Sequence, residues 1–509
     1  MPEQSATTRG IYKCRLRDTG VKSKIPVLQL FTTFESGIST MKKLKIKAKE
    51  LKKIGFSDGR QLSLAIRLIE ENYKREDKTK ALGLLEELLI DPGKFASHEV
   101  FSELVELINS MDSKPVSKKS GKPGLRKTAI DFMIYGEDGI DQETLQQMYT
   151  AMKIPVVVKG ALMADAHLGY GLPIGGVVAA YNAVMPYAVG MDIGCRMCMT
   201  IYPEPPQIIE KNSDSLKKIL IENTRFGLGE FKDIGNHELM ERKEFTEIKF
   251  LKSLAKTFYD QLGTSGHGNH FVDMGYIVVN QDSKELGIRA GEYFAILSHS
   301  GSRNFGSEIA KHYTGIAQKK LGIGGDGAKL AWLDLDSEEG QEYWQAMTLA
   351  GDYSAANHRI IHGKLSKALG SKPLKIVENH HNFAWKEQLL DGRSMIIHRK
   401  GATPANIGDL GIIPGNMVSP AFIVKGKGNE ESLNSASHGA GRLISRNVAK
   451  KTITQESMKK LLKKHGVELI GGALDESPLA YKDIHRVMEA QKDLVDVLAL
   501  FYPKIVRME

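Results

Sequence analysis

Two of the chain's three cysteines, Cys195 and Cys198, fall in VGMDIGCRMCMT, residues 189–200, as a CxxC pair with Asp192 three residues before the first. A lone CxxC is half of a structural zinc site. A thioredoxin-type redox pair needs a helix N-terminus to depress the thiol pKa. The flanking runs VVAAYNAVMPYAVGMDIG and MCMTIYP read as β-structure instead, and on an extended strand residues three apart point to opposite faces. A turn at Gly194 would bring Asp192 and Cys195 together as metal ligands, with Cys198 packed nearby. A purely structural role for the pair is the alternative.

The histidines gather in Gly/Ser/Asn-rich segments: MADAHLGYGLPIGG (163–176), GTSGHGNHFVD (263–273), LSHSGSRNFG (297–306), VENHHNFAW (377–385), IIHRKGATPA (396–405) and SASHGAGR (435–442). Core histidines usually have apolar neighbours, whereas these sit where the backbone turns and can approach a ligand. His270, His299 and His381 each lie beside small or amide residues. With Asp192 and Cys195 they could hold two divalent ions through a bridging thiolate, a mixed O/N/S set that suits Mn²⁺, Co²⁺ or Zn²⁺. Taken singly, each histidine reads equally well as a hydrogen-bonded structural residue.

His438 precedes Gly-Ala-Gly and then Arg442. Backbone N–H groups at glycines can face an anion, an arginine can bind it bidentately, and an imidazole can attack phosphorus. Arg399 and Lys400 in HRKGAT and Arg303 in SHSGSR add phosphate-binding features. No Walker A loop is present, and GIGGDG (322–327) is too generic for a dinucleotide fingerprint.

The elements that must position these residues can be read more coarsely. The chain has 509 residues, 41% hydrophobic and 26% charged, with a net charge of +9 that suits a polyanionic partner. Three cysteines, Cys14 included, exclude a disulfide scaffold. The N-terminus has no apolar signal core and no run reads as a membrane span, so a cytoplasmic protein is expected. Residues 1–40 look irregular. Residues 41–110 read as a small helical accessory domain opened by a short strand. MDSKPVSKKSGKPGLRK (111–127) reads as a basic linker. From 128 to 509 a single large α+β domain is expected, with helices over 240–262, 305–320, 341–364, 452–465 and 481–500.

Six ordered motifs from about residue 125 onward resemble the RtcB family of RNA-splicing (tRNA-splicing) ligases. The resemblance implies an α+β catalytic domain with a deep central metal-binding cleft, preceded here by a small, mainly helical N-terminal region. It implies a GTP- and Mn²⁺-dependent enzyme that joins RNA ends bearing a 2′,3′-cyclic phosphate or 3′-phosphate to 5′-hydroxyl ends. Asp192, Cys195, His270, His299 and His381 match the ligands of two manganese ions, with Cys195 bridging. His438 matches the histidine that becomes guanylylated, and Asn269 a contact to the GTP phosphate. The nucleotide pocket would draw on His381, Asn382, Arg399, Lys400, Pro414, Asn416, Met417, Ser435, Gly439, Ala440, Gly441, Arg442, Glu476, Tyr481 and Arg507. Glu476 would read guanine N–H groups and Tyr481 would line the base. Asp165 and His167 match a segment expected to support the site or position substrate.

The implied reaction runs from guanylylation of His438, through transfer to the RNA 3′-phosphate, to attack by the 5′-hydroxyl with loss of GMP. The sequence departs from the family pattern at three places. Arg196 replaces a glycine and would reach RNA phosphate or pack outward. His267 replaces a smaller residue. The C-terminus carries Lys504 and Arg507 where the family has a terminal lysine. With the N-terminal extension, these mark a divergent member acting on tRNA or damaged structured RNA, by default a monomer. Two rival readings are a metal-dependent RNA cyclic phosphodiesterase or phosphatase, which would not need His438, and a non-catalytic RNA-binding protein.

Overall fold

The computed structural model describes residues 44–56, 59–74, 77–112, 124–227, 237–389 and 392–509. The expected irregular segment 1–40 and most of the 111–127 linker lie outside these residues. The chain divides into two compact units, Met1–Pro115 and Val116–Glu509.

In the smaller unit, helices Ala48–Lys53, Gly59–Asn72, Lys78–Ile90 and Ser102–Asp112 enclose their own apolar core. Leu62, Ala65 and Ile69 recur at helical spacing, as do Ala81, Leu85 and Leu88, and all six are buried. Of the short strand expected at its start, residues 41–43 lie outside the described residues and residues 44–47 form no strand. Leu44 and Ile46 alternate inward, but the segment pairs with no strand among the described residues.

The larger unit is α+β and starts before residue 128. Arg126 donates to the carbonyls of Ile154, Pro155 and Val157, and Leu125 packs against the neighbouring core. Two mostly antiparallel sheets form its frame. The larger sheet orders its strands Leu410–Ile413, Ala421–Gly426, Val495–Arg507, Phe271–Val279, Gly291–Ser300, Arg196–Ile201 and Lys375–His380, with Glu468–Ile470 also paired to Val495–Arg507. The smaller sheet orders Met133–Ile134, Val157–His167, Ile174–Ala180, Ser394–Lys400 and Asn382–Gln388. Their central strands are buried on both faces, so they read as apolar runs rather than alternating ones.

A 32-residue helix, Glu338–Leu369, packs behind the larger sheet; it is capped by Ser337 and stopped by the left-handed Gly370. Phe305, Ile309 and Tyr313 of helix Arg303–Leu321 meet Tyr343, Met347 and Tyr353 of the long helix in one apolar cluster. The helix expected over 481–500 is corrected. Helix Ile484–Glu489 is only six residues long, and Val495–Arg507 is a 13-residue strand inside the larger sheet. The run VDVLALFY satisfies either period, and sheet pairing on both sides decides it. Pro503, which has no N–H to donate, sits where the register shifts.

Candidate metal and nucleotide site

The CxxC segment enters its strand through a tight turn. The Cys195 N–H donates to the Asp192 carbonyl at 3.2 Å, and Gly194 (φ 70°) donates to the Asn382 carbonyl at 2.7 Å. A Cβ at Gly194 would lie 2.8 Å from the Gly351 Cα of the long helix, so only glycine fits there. At Gly301 a Cβ would collide with the Asp192 carboxylate and displace it.

Sheet register gathers the other donors. His299, the last residue but one of its strand, lies opposite Met197 on one side and Phe271 on the other. His270 precedes Phe271, and His381 joins the two strands Lys375–His380 and Asn382–Gln388. The Cys195 sulfur lies 3.1 Å from His299 Nε2 and 3.6 Å from His270 Nε2. His270 Nε2 lies 3.0 Å from Asp192 Oδ2, and His299 Nε2 lies 3.3 Å from His381 Nε2. His270 Nδ1 donates to the Ser265 carbonyl and His299 Nδ1 to the Asn269 carbonyl, each at 2.9 Å. These outer bonds orient the two rings so that Nε2 faces inward, the arrangement of metal-ligating imidazoles.

Burial pushes the His299 imidazole down to about 3, with His270 adding to the effect. His381 is likewise driven well below its ordinary value by burial and by His438. Both therefore stay neutral and can ligate. Burial alone would raise the Asp192 carboxyl, but hydrogen bonding to His270 outweighs it and keeps the group ionised. Lone pairs, a carboxylate and a thiol crowded together fit a cationic centre.

The cluster opens into a cavity of about 900 Å³. At its wall, His438 Nδ1 and Asp165 Oδ2 are 2.6 Å apart. The same carboxylate oxygen accepts the His438 and Gly439 backbone N–H groups, at 3.1 and 3.3 Å. Burial would raise the Asp165 carboxyl, yet the His438 charge and hydrogen bond lower it below the usual range. With Nδ1 bound to Asp165, Nε2 is the ring nitrogen left for chemistry. The His438 and His381 ring centroids are 4.8 Å apart, so this imidazole adjoins the metal-type cluster.

Asn269, Asn382, Lys400, Pro414, Asn416, Met417, Gly439, Ala440, Gly441, Arg442, Glu476, Tyr481 and His167 also line the cavity. The Asn382 amide is already committed, donating to the Asp192 carbonyl and accepting from the Gly401 N–H. Lys400 Nζ donates to the carbonyls of Tyr170 and Tyr187. Burial, helped by Lys329, lowers that amine to about 7.

Other expected pocket residues lie elsewhere. Arg399 is fully buried away from the cavity, donating to Glu387, to the Ser435 hydroxyl at 2.7 Å and to the Leu433 carbonyl at 2.9 Å. Ser435 is thereby occupied. Arg507 donates to the Leu220 carbonyl and lies over Phe226, because strand alternation sends Val506 and Met508 to the cavity instead. Lys504 lies off the cavity lining as well. Arg303 is buried and held by Thr264 and the Gly227 carbonyl. Arg196 neither packs outward nor reaches the cavity; it turns inward to Glu378 and His380, each at 3.0 Å. His267 is exposed and off the lining. Glu476 is taken by Arg446 and by the Tyr481 hydroxyl.

The cavity also holds a residue the sequence reading passed over. Asp273 is buried on strand Phe271–Val279 and lines the wall, and its Oδ1 has no partner. Burial pushes its carboxyl well above the usual range. The available signal was a single acidic residue in the otherwise apolar run FVDMGYIVV, on the same strand face as Phe271.

The described residues hold two candidate metal-binding clusters, Cys195 with His270 and His299, and Cys198 with His358 and His362. A family model for the tRNA-splicing ligase RtcB matches residues 147–256 and 231–509. The chain belongs to the RtcB family. It is 32% identical to the RNA-splicing ligase RtcB of Escherichia coli, over 70% of this chain and 92% of that protein. It is 30% identical to the tRNA-splicing ligase RtcB of Nanoarchaeum equitans, over 75% of this chain and 95% of that one. An Entamoeba histolytica RNA-splicing ligase RtcB homolog is 30% identical over 68% of this chain and 79% of its own. RtcB membership together with the metal-type clusters makes the chain an RNA ligase by class.

Proposed function

We propose that this RtcB-family chain joins RNA 2′,3′-cyclic phosphate or 3′-phosphate ends to 5′-hydroxyl ends, using GTP and two manganese ions. The observation that carries this reading is that His438, held by Asp165, lines one cavity with Asp192, Cys195, His299 and His381, with His270 against Asp192 and Cys195 behind them. A simple phosphodiesterase would use the donor set alone and would have no need of a buried carboxylate aligning a further histidine.

Asp192, Cys195, His270, His299 and His381 would hold the ions. Bound there, the ions supply positive charge against the GTP phosphates and align them. The chain's own residues do the rest. His438 Nε2 forms a bond to the α-phosphorus as the bond to the β-phosphate oxygen breaks and pyrophosphate leaves. Asp165 keeps the proton on Nδ1 and balances the charge that the ring acquires. An RNA 3′-phosphate oxygen then takes the guanylate from His438. The 5′-hydroxyl, losing its proton, attacks the RNA phosphorus and expels GMP. Activation is needed because a bare 3′-phosphate carries no good leaving group.

Asp273, not Glu476, is the carboxyl with an unpartnered oxygen in the cavity, and that oxygen can accept one guanine N–H. Tyr481, with the Arg442 guanidinium 5.2 Å from its ring, offers a face to the base. No helix among the described residues is long and apolar enough to cross a membrane, and a cytoplasmic monomer acting on tRNA or damaged structured RNA is the setting we infer. The test is incubation with α-labelled GTP and Mn²⁺. An acid-labile label should appear on the protein, vanish in His438→Ala, and pass to an RNA 3′-phosphate. An adduct retained by His438→Ala would remove the assigned nucleophile.

A further inference from the structure

Cys198, His358 and His362 take no part in the chemistry above. Strand alternation separates them from it: Met197 and His299 face the cavity, while Cys198 and its register partner Ser298 face the long helix. His358 and His362 stand one turn apart on that helix, a spacing that aims two imidazoles at one point. The ligand atoms of the three residues all lie within 4.8 Å of one another. Cys198 and His362 are 4% exposed and His358 is 0% exposed, so the cluster is closed to solvent.

The surrounding hydrogen bonds are those of a metal site. His358 Nε2 donates to the Ser300 carbonyl at 3.2 Å, leaving the Nδ1 lone pair facing Ser298 Oγ at 2.7 Å. His362 Nε2 also lies 2.7 Å from Ser298 Oγ, and its Nδ1 lies 2.7 Å from Thr200 Oγ1. Ser298 has one proton and can donate to only one of the two nitrogens that face it. Without an ion, His362 must therefore carry its proton on Nε2 and accept from Thr200. With an ion, that proton moves to Nδ1 and is donated to Thr200, and neither ring has to rotate. A carbonyl and a hydroxyl behind the ligating rings are the usual outer partners of metal-bound histidine. Burial lowers both imidazoles, His362 to about 4, so both are neutral donors.

We propose that Cys198, His358 and His362 bind one further divalent ion, distinct from the pair at Cys195, with the Ser298 hydroxyl at the fourth corner. One thiolate and two imidazoles select zinc over manganese, and a closed four-cornered site is structural rather than catalytic. Binding releases the Cys198 thiol proton to solvent and forms a sulfur–metal bond, with no redox change. The ion would tie strands Arg196–Ile201 and Gly291–Ser300, which deliver Cys195 and His299, to the long helix.

The test is production of the full chain in zinc-depleted, Co²⁺-supplemented medium, so that the ion enters as the chain folds, in a Cys195→Ala background where the catalytic cluster has no thiolate. A thiolate-to-cobalt charge-transfer band should persist there and disappear in Cys195→Ala/Cys198→Ala. Its absence from folded Cys195→Ala would overturn the proposal and leave a purely hydrogen-bonded cluster. Should the double variant fail to fold, elemental analysis of wild-type protein decides. Zinc retained at one equivalent through a chelator wash that strips manganese supports the site, and no retained zinc refutes it. Neither outcome depends on guanylylation at His438, so this inference and the ligase reading fail separately.

Discussion

One strand, Gly291–Ser300, serves two Cys/His clusters on its opposite faces. On the cavity face His299 meets Cys195, and the space beside them runs on to His438. On the helix face Ser298 meets His358 and His362, and every imidazole nitrogen already has a partner. The open cluster has polar atoms without protein partners, His381 Nδ1 among them. Similar ligands thus serve different ends. An open, incompletely satisfied set can exchange ions and meet substrate, whereas a closed, fully partnered set can only hold the scaffold.

The strongest way to break this comparison is at the open face. His438→Ala should abolish label transfer from GTP, a loss of about 10⁴-fold or more, with metal content at the Cys195 cluster unchanged by elemental analysis. Asp165→Asn should follow. It keeps the shape but allows the wrong tautomer at His438, so guanylylation should slow by about 10³-fold with little change in GTP binding. If Asp165→Asn weakened GTP binding and left the rate intact, Asp165 would be a substrate contact instead.

The open face was legible in the sequence because its residues need special backbone. Asp192, Cys195, His270, His299 and His438 all lie within two residues of a glycine that permits close approach, and such spacing survives in one dimension. What failed to read depends on pairing partners. Arg399 looks like a phosphate ligand beside Lys400, yet adjacent strand residues face opposite sides, and only Lys400 reaches the cavity. The run from Leu494 to Tyr502 fits helix or strand, and its neighbours Ala421–Gly426 and Phe271–Val279 settle it from far along the chain. Asp273 was missed because one acid in an apolar strand acquires meaning only when its cavity is known.

Asp273 sharpens the rule that unsatisfied groups mark the open face. Asp273→Ala should cost GTP affinity about 0.5–1.5 kcal/mol, as expected for a hydrogen bond to a neutral carboxyl, and should narrow the preference for GTP over ATP. Competition binding of the two nucleotides measures both. An unchanged preference would move guanine recognition elsewhere. Lys400 gives a pH signature at the same wall. Its buried amine titrates near 7 in the folded chain, against an ordinary value of 10.5. Between those values the unfolded chain holds a proton that the folded chain has released, so stability rises with pH through this window. The slope is at most about 1.4 kcal/mol per pH unit. Lys400→Met should flatten that rise in melting temperature; an unchanged slope would assign it to another group.

Arg507 should give the smallest effect. Its position near the C-terminus suggested a guanine contact, but its guanidinium donates to the Leu220 carbonyl and lies 5.4 Å from the Phe226 ring. It is a satisfied group on the side of its strand away from the cavity. Arg507→Lys keeps a donor and a cation at that position, so GTP affinity should stay within about twofold, less than the ~1.4 kcal/mol that corresponds to a tenfold change. Any loss should appear as a small drop in melting temperature, because a planar guanidinium stacks on an aromatic face better than an ammonium does. A large loss of GTP affinity with unchanged stability would place Arg507 on the open face and break the link between hydrogen-bond satisfaction and function.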